Sequence, residues 1–123
     1  MKKDNLSYRI LTSSDKEAVI NFCLSNNMYE ENNLIYNVTD PKWSNRYGNH
    51  IGYGCFDGTQ LIGYIGSIQV KREELIYNNL SCGLVDEKYR GLGISTKLFN
   101  LSVNDGIASM LTPNTFLRCF LRR

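Results

Sequence analysis

The sequence lacks a long apolar run and a close pair of cysteines, and each absence excludes a class of protein. No stretch approaches the roughly 20 apolar residues that a membrane-spanning helix needs, and no charged-then-apolar leader is visible. We therefore expect a cytoplasmic protein without a membrane partner. The 4 cysteines are far apart and form no C-x-x-C pair, so we expect reduced thiols and no metal site.

Strong charge of either sign is also missing. The chain has 14 Lys and Arg residues against 12 Asp and Glu, which gives a net charge of +2. So mild an excess, without a basic stripe, argues against nucleic acid as a partner. The 123 residues are enough for one small domain, 1–123, and too few for two. The single histidine, His50, stands before a predicted strand and is interpreted as a surface or packing residue.

The N-terminal part predicts a strand and then a helix. Residues 8–11 alternate like a strand, and Ser14 with Glu17 fits a capping box that would begin the helix. Three apolar residues follow at helical spacing, namely Val19, Phe22 and Cys23, and Asn26-Asn27 would end the helix. Residues 28–49 predict a short helix and a long loop, in which Trp43 would be a core plug or lip.

Two antiparallel hairpins are predicted next. Residues 51–56 and 60–70 flank Asp57-Gly58, a strong hairpin-turn pair. The second hairpin would turn at residues 72–74 and return along residues 75–85. An amphipathic helix with Ile94, Leu98 and Leu101 on one face would follow and end at Asp105-Gly106. Residues 107–111 would then form a strand parallel to residues 80–85.

The segment between the last hairpin and this helix predicts an anion-binding site. Arg90-Gly91-Leu92-Gly93-Ile94-Ser95, which we call the cradle, runs from a buried strand into a helix start. A helix start offers unpaired N–H groups and a positive dipole end, and glycines allow close approach to the backbone. The alternative is a plain strand-to-helix connection. A P-loop is excluded because no Gly-Lys-Ser/Thr is present, and a Rossmann unit does not fit the antiparallel hairpins.

The cradle and its flanks resemble the acetyl-coenzyme A motif of the GNAT superfamily of N-acetyltransferases. That motif is Arg/Gln-x-x-Gly-x-Gly/Ala, and Ser95 stands where the family prefers Gly or Ala. The hairpin over residues 52–70, with Leu61-Ile62-Gly63-Tyr64, is similar to the family's second and third strands, and Thr112-Pro113-Asn114 is similar to the end of its fifth. The resemblance implies an α+β fold, with a central mixed, mostly antiparallel sheet flanked by helices.

The resemblance also implies roles for individual residues. Backbone N–H groups of the cradle would hold the cofactor pyrophosphate, and Arg90 would add positive charge. Leu84 and Val85 would offer backbone groups to the pantetheine arm, which docks like an added strand. The Val85 N–H would polarise the acetyl carbonyl. Asn114 would lie near the cofactor. Acetyl-coenzyme A is thus the expected co-substrate, and no metal is required.

The chain departs from the family in its C-terminal part. Relatives use a tyrosine after the fifth strand as an acid and continue into two further strands, whereas the last tyrosine here is Tyr89 and the sequence given ends at Arg123. We therefore expect a fold that lacks the last strands, with either a homodimer that covers the exposed sheet edge or a truncated form of lower stability. The position that carries a glutamate base in some relatives is Tyr77. The available carboxylates are Glu30, Glu31, Glu73, Glu74 and Asp86.

Two functions follow from the resemblance. The first is transfer of acetyl from acetyl-coenzyme A to a primary amine of a small molecule, such as an amino sugar. The alternative is a non-catalytic or degenerate module, or a fragment, that binds an acyl-coenzyme A. Tyr77 and Glu31 are the catalytic candidates of the first interpretation, and the cradle serves both.

Overall fold

The computed structural model describes residues 5–26, 48–105 and 107–110. These residues form five strands and two helices: β1 (Leu6–Thr12), α1 (Lys16–Ser25), β2 (His50–Asp57), β3 (Gln60–Arg72), β4 (Leu75–Val85), α2 (Ile94–Asn104) and β5 (Ile107–Met110). The strands form one sheet in the order β1-β2-β3-β4-β5. The first four are antiparallel and β5 runs parallel to β4. The predicted mixed, mostly antiparallel sheet flanked by helices is confirmed.

Both predicted hairpins are confirmed. The first turns at Gly58, whose φ of 63° suits the left-handed conformation that glycine adopts without cost. The second turns at Glu73 and Glu74, with φ values of 49° and 73°. Two consecutive left-handed residues are the geometry of a type I′ turn, which usually carries Asn-Gly. Glutamates at these positions are strained, because their Cβ atoms crowd the backbone.

Side chains fill two separate cores, one on each face of the sheet. The predicted inner face of α1 is confirmed, since Val19, Phe22 and Cys23 are its buried residues and pack on one sheet face. Burial raises the pKa of the Cys23 thiol to about 12, so it is protonated at neutral pH. On the other face α2 buries Ile94 and Leu98 against β2, β3 and β4.

The start of α1 differs from the prediction. A 3₁₀ helix over Ser13–Asp15 precedes α1, and the Asp15 carboxylate accepts from the Thr12 N–H at 2.9 Å. The capping box at Ser14 and Glu17 is therefore wrong, because the chain turns two residues earlier. Arg9 on β1 fixes Asp15 further through two hydrogen bonds of 3.0 Å, and this contact between strand and turn is not visible in local sequence.

A polar network, buried except at Asp105, fastens the C-terminal end of α2 to the sheet. The Tyr53 hydroxyl donates to Asp105 at 2.7 Å, and the Gln69 amide donates to the same carboxylate oxygen at 3.0 Å. Asn78 donates to the Tyr53 hydroxyl and to the Ser102 carbonyl. The predicted end of α2 is confirmed at Asp105, and the network explains why the helix stays in place there.

The last strand is shifted from its predicted position. β5 pairs with Tyr77 to Leu80 of β4, so it overlaps the predicted partner, residues 80–85, only at Leu80. The prediction of a parallel strand is confirmed, but its placement is wrong. A bulge in β4 after Leu80 provides the physical reason and is described below.

Several remaining predictions concern other parts of the chain. His50 is 6% exposed, and its ring meets the Tyr53 ring edge-on at 4.9 Å between centroids, which confirms a packing role. Residues 27–47, with the predicted short helix, loop and Trp43, lie outside the described residues. In the described part, no helix is long and apolar enough to cross a membrane, and no group of His, Cys, Asp or Glu residues could hold a metal.

Candidate functional site

The candidate site begins with the backbone at the end of β4. The Asp86 N–H donates to the Ile62 carbonyl of β3 at 2.8 Å, so pairing with β3 extends one residue past the strand. Backbone groups of successive strand residues point to opposite sides. The Val85 N–H and C=O therefore face away from β3, on the side of the sheet where β5 lies. Among the described residues β5 pairs with β4 only as far as Leu80.

A β-bulge marks the place where β4 stops pairing with β5. Ile65 of β3 faces Gly83, whereas Ser67 faces Leu80, so β4 carries one residue more than β3 in this interval. A bulge bends its strand and increases the local twist. The C-terminal part of β4 is thereby turned relative to the part that holds β5.

A short turn connects β4 to the cradle and is pinned at both ends. The Asp86 carboxylate accepts from the Lys88 N–H at 2.9 Å and caps a 3₁₀ helix over Glu87–Tyr89. The Tyr89 hydroxyl donates to Asp57, in the first hairpin, at 2.6 Å. This hydrogen bond raises the pKa of Tyr89, and Tyr89 itself is buried. The sequence alone did not predict this hydrogen bond, because its partners are 32 residues apart.

The two glycines of the cradle are required by the backbone. Gly91 and Gly93 have φ values of 87° and 77°, and Gly93 is the N-cap of α2. A Cβ built at either position would meet nothing within 4 Å. Any other residue is therefore disfavoured by the left-handed backbone alone, at a cost of about 1–2 kcal/mol per residue. No protein atom would clash with its side chain. The space in front of both glycines is open to a ligand.

The cradle presents a row of unpaired amides. In the described structure no acceptor takes the N–H groups from Gly91 to Thr96, and the first backbone bond of α2 runs from the Lys97 N–H to the Gly93 carbonyl at 3.2 Å. These amides lie at the positive end of the helix dipole. A pyrophosphate fits this arrangement, since it needs several N–H donors, positive potential and a backbone that it can approach closely.

Arg90 connects the cradle to the strand edge. Its Nε donates to the Val85 carbonyl at 3.1 Å, and the residue is half-buried. The outward-facing carbonyl of Val85 is thus occupied by a cation, whereas no described residue accepts from the Val85 N–H. The guanidinium therefore adds positive charge between the open strand edge and the helix start.

The remaining cofactor-binding candidates have different surroundings. Leu84 packs in the core on the α1 face, and because it alternates with Val85 its amide faces β3. The register thus gives the open amide to Val85 and not to Leu84. Leu92 is half-buried and packs on the α2 core, whereas Ile94 is buried in that core. Ser95 is buried, and its hydroxyl has no hydrogen-bond partner in the described structure.

Tyr77, the catalytic candidate within the described residues, lies far from the cradle. Tyr77 pairs with Val70 of β3 and with Ile107 of β5, well inside the sheet. It is separated from Val85 by roughly 25 Å along β4, at about 3.3 Å per residue. Glu31 and Asn114 lie outside the described residues.

A shallow groove with apolar and polar walls lies beside this end of the sheet. Its volume is about 350 Å³, and it runs between α1 and the start of β3. Its lining combines the apolar Ala18, Phe22 and Leu61 with amide and carboxylate side chains, among them Asn21, Asn26, Gln60 and Asp86. Asp86, which follows Val85 directly, lines one side of this groove. Such a lining offers hydrogen bonds to hydroxyl and amino groups.

Three solved structures with this fold are acetyltransferases. The chain is similar to a ribosomal-protein-alanine N-acetyltransferase from Brucella melitensis, with a TM-score of 0.61 and 11% identity over 95% of this chain and 89% of the other. The chain is also similar to an aminoglycoside acetyltransferase from an uncultured soil metagenomic sample, in complex with trehalose. The TM-score is 0.62, with 14% identity over 97% of this chain and 86% of the other. A GCN5-related N-acetyltransferase from Ralstonia eutropha is similar with a TM-score of 0.58 and 15% identity over 95% of this chain and 90% of the other.

These identities are low enough that the likeness shows the fold alone. The chain has the GNAT fold, and the predicted resemblance is confirmed at that level. No protein-family model matches the sequence, and neither does any curated protein.

Proposed function

We propose that this chain is an N-acetyltransferase of the GNAT superfamily, which transfers acetyl from acetyl-coenzyme A to a primary amine of a small molecule. One observation carries the proposal. The cradle amides and the unpaired Val85 N–H lie at the same end of the sheet and are joined by the bond from Arg90 to the Val85 carbonyl. One surface therefore supplies donors for a phosphate and a donor for a polarised carbonyl.

Each part of this surface has a physical role in the proposed reaction. The amides from Gly91 to Ser95 would bind the pyrophosphate, and Arg90 would strengthen the positive potential. The outward-facing amide of Val85 would donate to the carbonyl oxygen of the acetyl group as negative charge develops on it. Bound acetyl-coenzyme A would supply the thioester that the acceptor amine attacks, so that a C–N bond forms, the C–S bond breaks and coenzyme A leaves as the thiol while the amine nitrogen loses a proton. Gly83 has the same outward orientation as Val85 and would pair with the pantetheine arm like a neighbouring strand.

The groove beside Asp86 supports a small acceptor that carries both apolar and polar groups. Its volume of about 350 Å³ is at the lower end of the range typical for small-molecule sites. Asn21, Gln60 and the Asp86 carboxylate suit an amine that also carries hydroxyl groups, such as an amino sugar.

A non-catalytic acyl-coenzyme A-binding module is the second candidate, and one observation favours it. Asp57 and Asp86, the carboxylates of the hairpin and turn at this end of the sheet, already accept hydrogen bonds from Tyr89 and from the Lys88 N–H. One oxygen of each carboxylate is therefore engaged within the protein and is less available to the acceptor amine. Tyr77 is too far along β4 for that role.

Thiol release separates the two candidates. The full chain is incubated with acetyl-coenzyme A and a panel of amino sugars and other primary amines, and free thiol is measured. Release that depends on an amine supports the transferase. Binding of coenzyme A in calorimetry without thiol release supports the binding module, and the absence of binding refutes both.

A pair of glycine substitutions tests the cradle itself. Gly93→Val and Gly58→Val place the same side chain on left-handed backbones, with φ values of 77° and 63°, and both side chains would point into open space. The two substitutions should therefore lower the free energy of unfolding by similar amounts. Only Gly93→Val should abolish coenzyme A binding, because only its side chain covers the cradle amides. Equal coenzyme A affinity in the two folded variants would contradict the assignment.

We further propose that the protein is a single cytoplasmic domain and that a second copy covers the free edge of β5. In the described structure β5 is the last strand of the sheet, and a strand edge with unpaired backbone groups favours association. Sedimentation equilibrium checks this. A stable monomer at high protein concentration would refute the dimer and leave the coenzyme A proposal unaffected.

A further inference from the structure

Ser95 carries a polar group for which the fold provides no partner. It is the second residue of α2 and is 5% exposed, and its Oγ is buried without a hydrogen bond in the described structure. Buried hydroxyls are almost always hydrogen-bonded, so an exception calls for an explanation. Ser102, on the buried side of the same helix, shows the usual solution, since its Oγ donates to the Phe99 carbonyl at 2.6 Å.

The position of Ser95 in the helix explains the missing bond. A helical serine usually donates to the carbonyl three or four residues earlier. For Ser95 those residues are Leu92 and Gly91, which precede the helix, and Gly91 has a left-handed φ of 87°. Their carbonyls are therefore not arranged like those of a preceding helical turn. Ser102 has a complete turn before it and meets its acceptor.

The hydroxyl belongs to the same end of α2 as the unpaired amides. Side chains on a helix lean toward its N-terminus, so a donor on Ser95 lies over the first turn. The N–H groups from Gly91 to Thr96 have no acceptor in the described structure. Ser95 is thus a buried donor beside a row of backbone donors, and an oxyanion is the ligand that accepts from both.

We propose that the Ser95 hydroxyl is a binding group of the cradle and donates a hydrogen bond to a phosphate oxygen of the coenzyme A pyrophosphate. This inference rests on the proposed function and extends it, because the resemblance assigns only a small residue to this position. Serine keeps that size and adds a donor. Without ligand the hydroxyl is a defect in the fold, and with ligand it is satisfied.

The proposal predicts opposite signs for stability and affinity in one variant. Ser95→Ala removes an unsatisfied hydroxyl and introduces a better helix former, so the ligand-free protein should have an equal or higher Tm. The same change removes a hydrogen bond to a charged acceptor, so the Kd for coenzyme A should rise about tenfold or more. A serine with a purely structural role would not separate these effects in this way.

Ser102→Ala is the matched control. It removes a buried hydroxyl from the same helix, but one that has a partner, so the Tm should fall while the Kd stays within twofold of the wild-type value. Ser95→Cys keeps the size of the side chain with a weaker donor and should give an intermediate Kd. All four proteins are compared as full chains, by thermal unfolding without ligand and by calorimetry with coenzyme A.

The outcomes distinguish this inference from the proposed function. If the wild-type protein binds coenzyme A and Ser95→Ala binds it equally well, Ser95 is not a binding group, although the cradle assignment stands. A Ser95→Ala protein that unfolds well below the wild-type Tm also overturns the inference, because its hydroxyl must then stabilise the fold. If the wild-type protein does not bind coenzyme A, the proposed function and this inference fail together.

Discussion

Gly63 sets the distance between the sheet and the start of α2, and its replacement by alanine tests how the cradle is held. Gly63 lies opposite Val85 in the pairing of β3 with β4. A Cβ at this position would lie 2.9 Å from the Cγ2 of Ile94, the first residue of α2, and 3.3 Å from the Cβ of Cys55. One methyl group would thus press directly on the helix that carries the cradle amides.

The expected cost follows from the packing. Ile94 and Cys55 are 2% and 0% exposed, so no free space accepts the methyl group. Restoring an ordinary contact of 3.4 Å requires the helix start to move by about 0.5 Å. Overpacking of this kind costs about 1–3 kcal/mol, and the loss of glycine flexibility in the unfolded chain offsets about 0.4–1 kcal/mol. We expect Gly63→Ala to lower the free energy of unfolding by about 1 kcal/mol.

The sharper expectation concerns coenzyme A. Because the displaced residue begins α2, Gly63→Ala should weaken coenzyme A binding by about fivefold, the equivalent of about 1 kcal/mol. Urea denaturation and calorimetry measure the two effects. Gly54→Ala is the control, since its Cβ would lie 2.9 Å from Leu11 and 3.0 Å from Leu61. Both leucines belong to the core on the α1 face, so stability should fall without a change in coenzyme A affinity.

A second substitution tests the same reasoning. Ile94→Leu removes the Cγ2 methyl group that the new alanine would strike, so adding it to Gly63→Ala should restore part of both stability and affinity. If Gly63→Ala and Gly54→Ala are equally destabilising and neither changes the Kd, Gly63 does not position the cradle. The absence of rescue by Ile94→Leu would show that the contact responsible lies elsewhere.

Three further predictions concern the turns. Tyr89→Phe frees the turn before the cradle from the Asp57 carboxylate, so urea stability and coenzyme A affinity should both fall, and an unchanged Kd would contradict a positioning role. Glu73→Asn with Glu74→Gly should raise the free energy of unfolding by about 1–2 kcal/mol, because these residues suit the left-handed backbone; a loss of stability would refute the strain. The arginine on β1 holds the pKa of Asp15 below its ordinary 3.8, so the stability difference between wild type and Asp15→Asn should persist above that pH and disappear as the pH falls below it; a difference that grows in acid would contradict the sign.

Most of the strand and helix order could be predicted because it depends on neighbouring residues. The Asp57-Gly58 pair favours a tight turn whatever its tertiary surroundings. The spacing of Val19, Phe22 and Cys23 marks the buried side of α1. The start of α1 could not be fixed in the same way. Several polar residues near Ser14 can cap a helix, and Arg9 on a different element favours Asp15.

By itself the sequence determined the residues of the cradle, since two left-handed glycines at a helix start follow from local backbone preference. Tertiary structure alone decided what those residues face. The bulge that separates β4 from β5, the bond from Arg90 to the Val85 carbonyl and the missing partner of the Ser95 hydroxyl all depend on atoms that distant packing brings together or keeps apart. Local preferences act over a few residues, whereas the distances within a site are set by how the sheet and α2 pack.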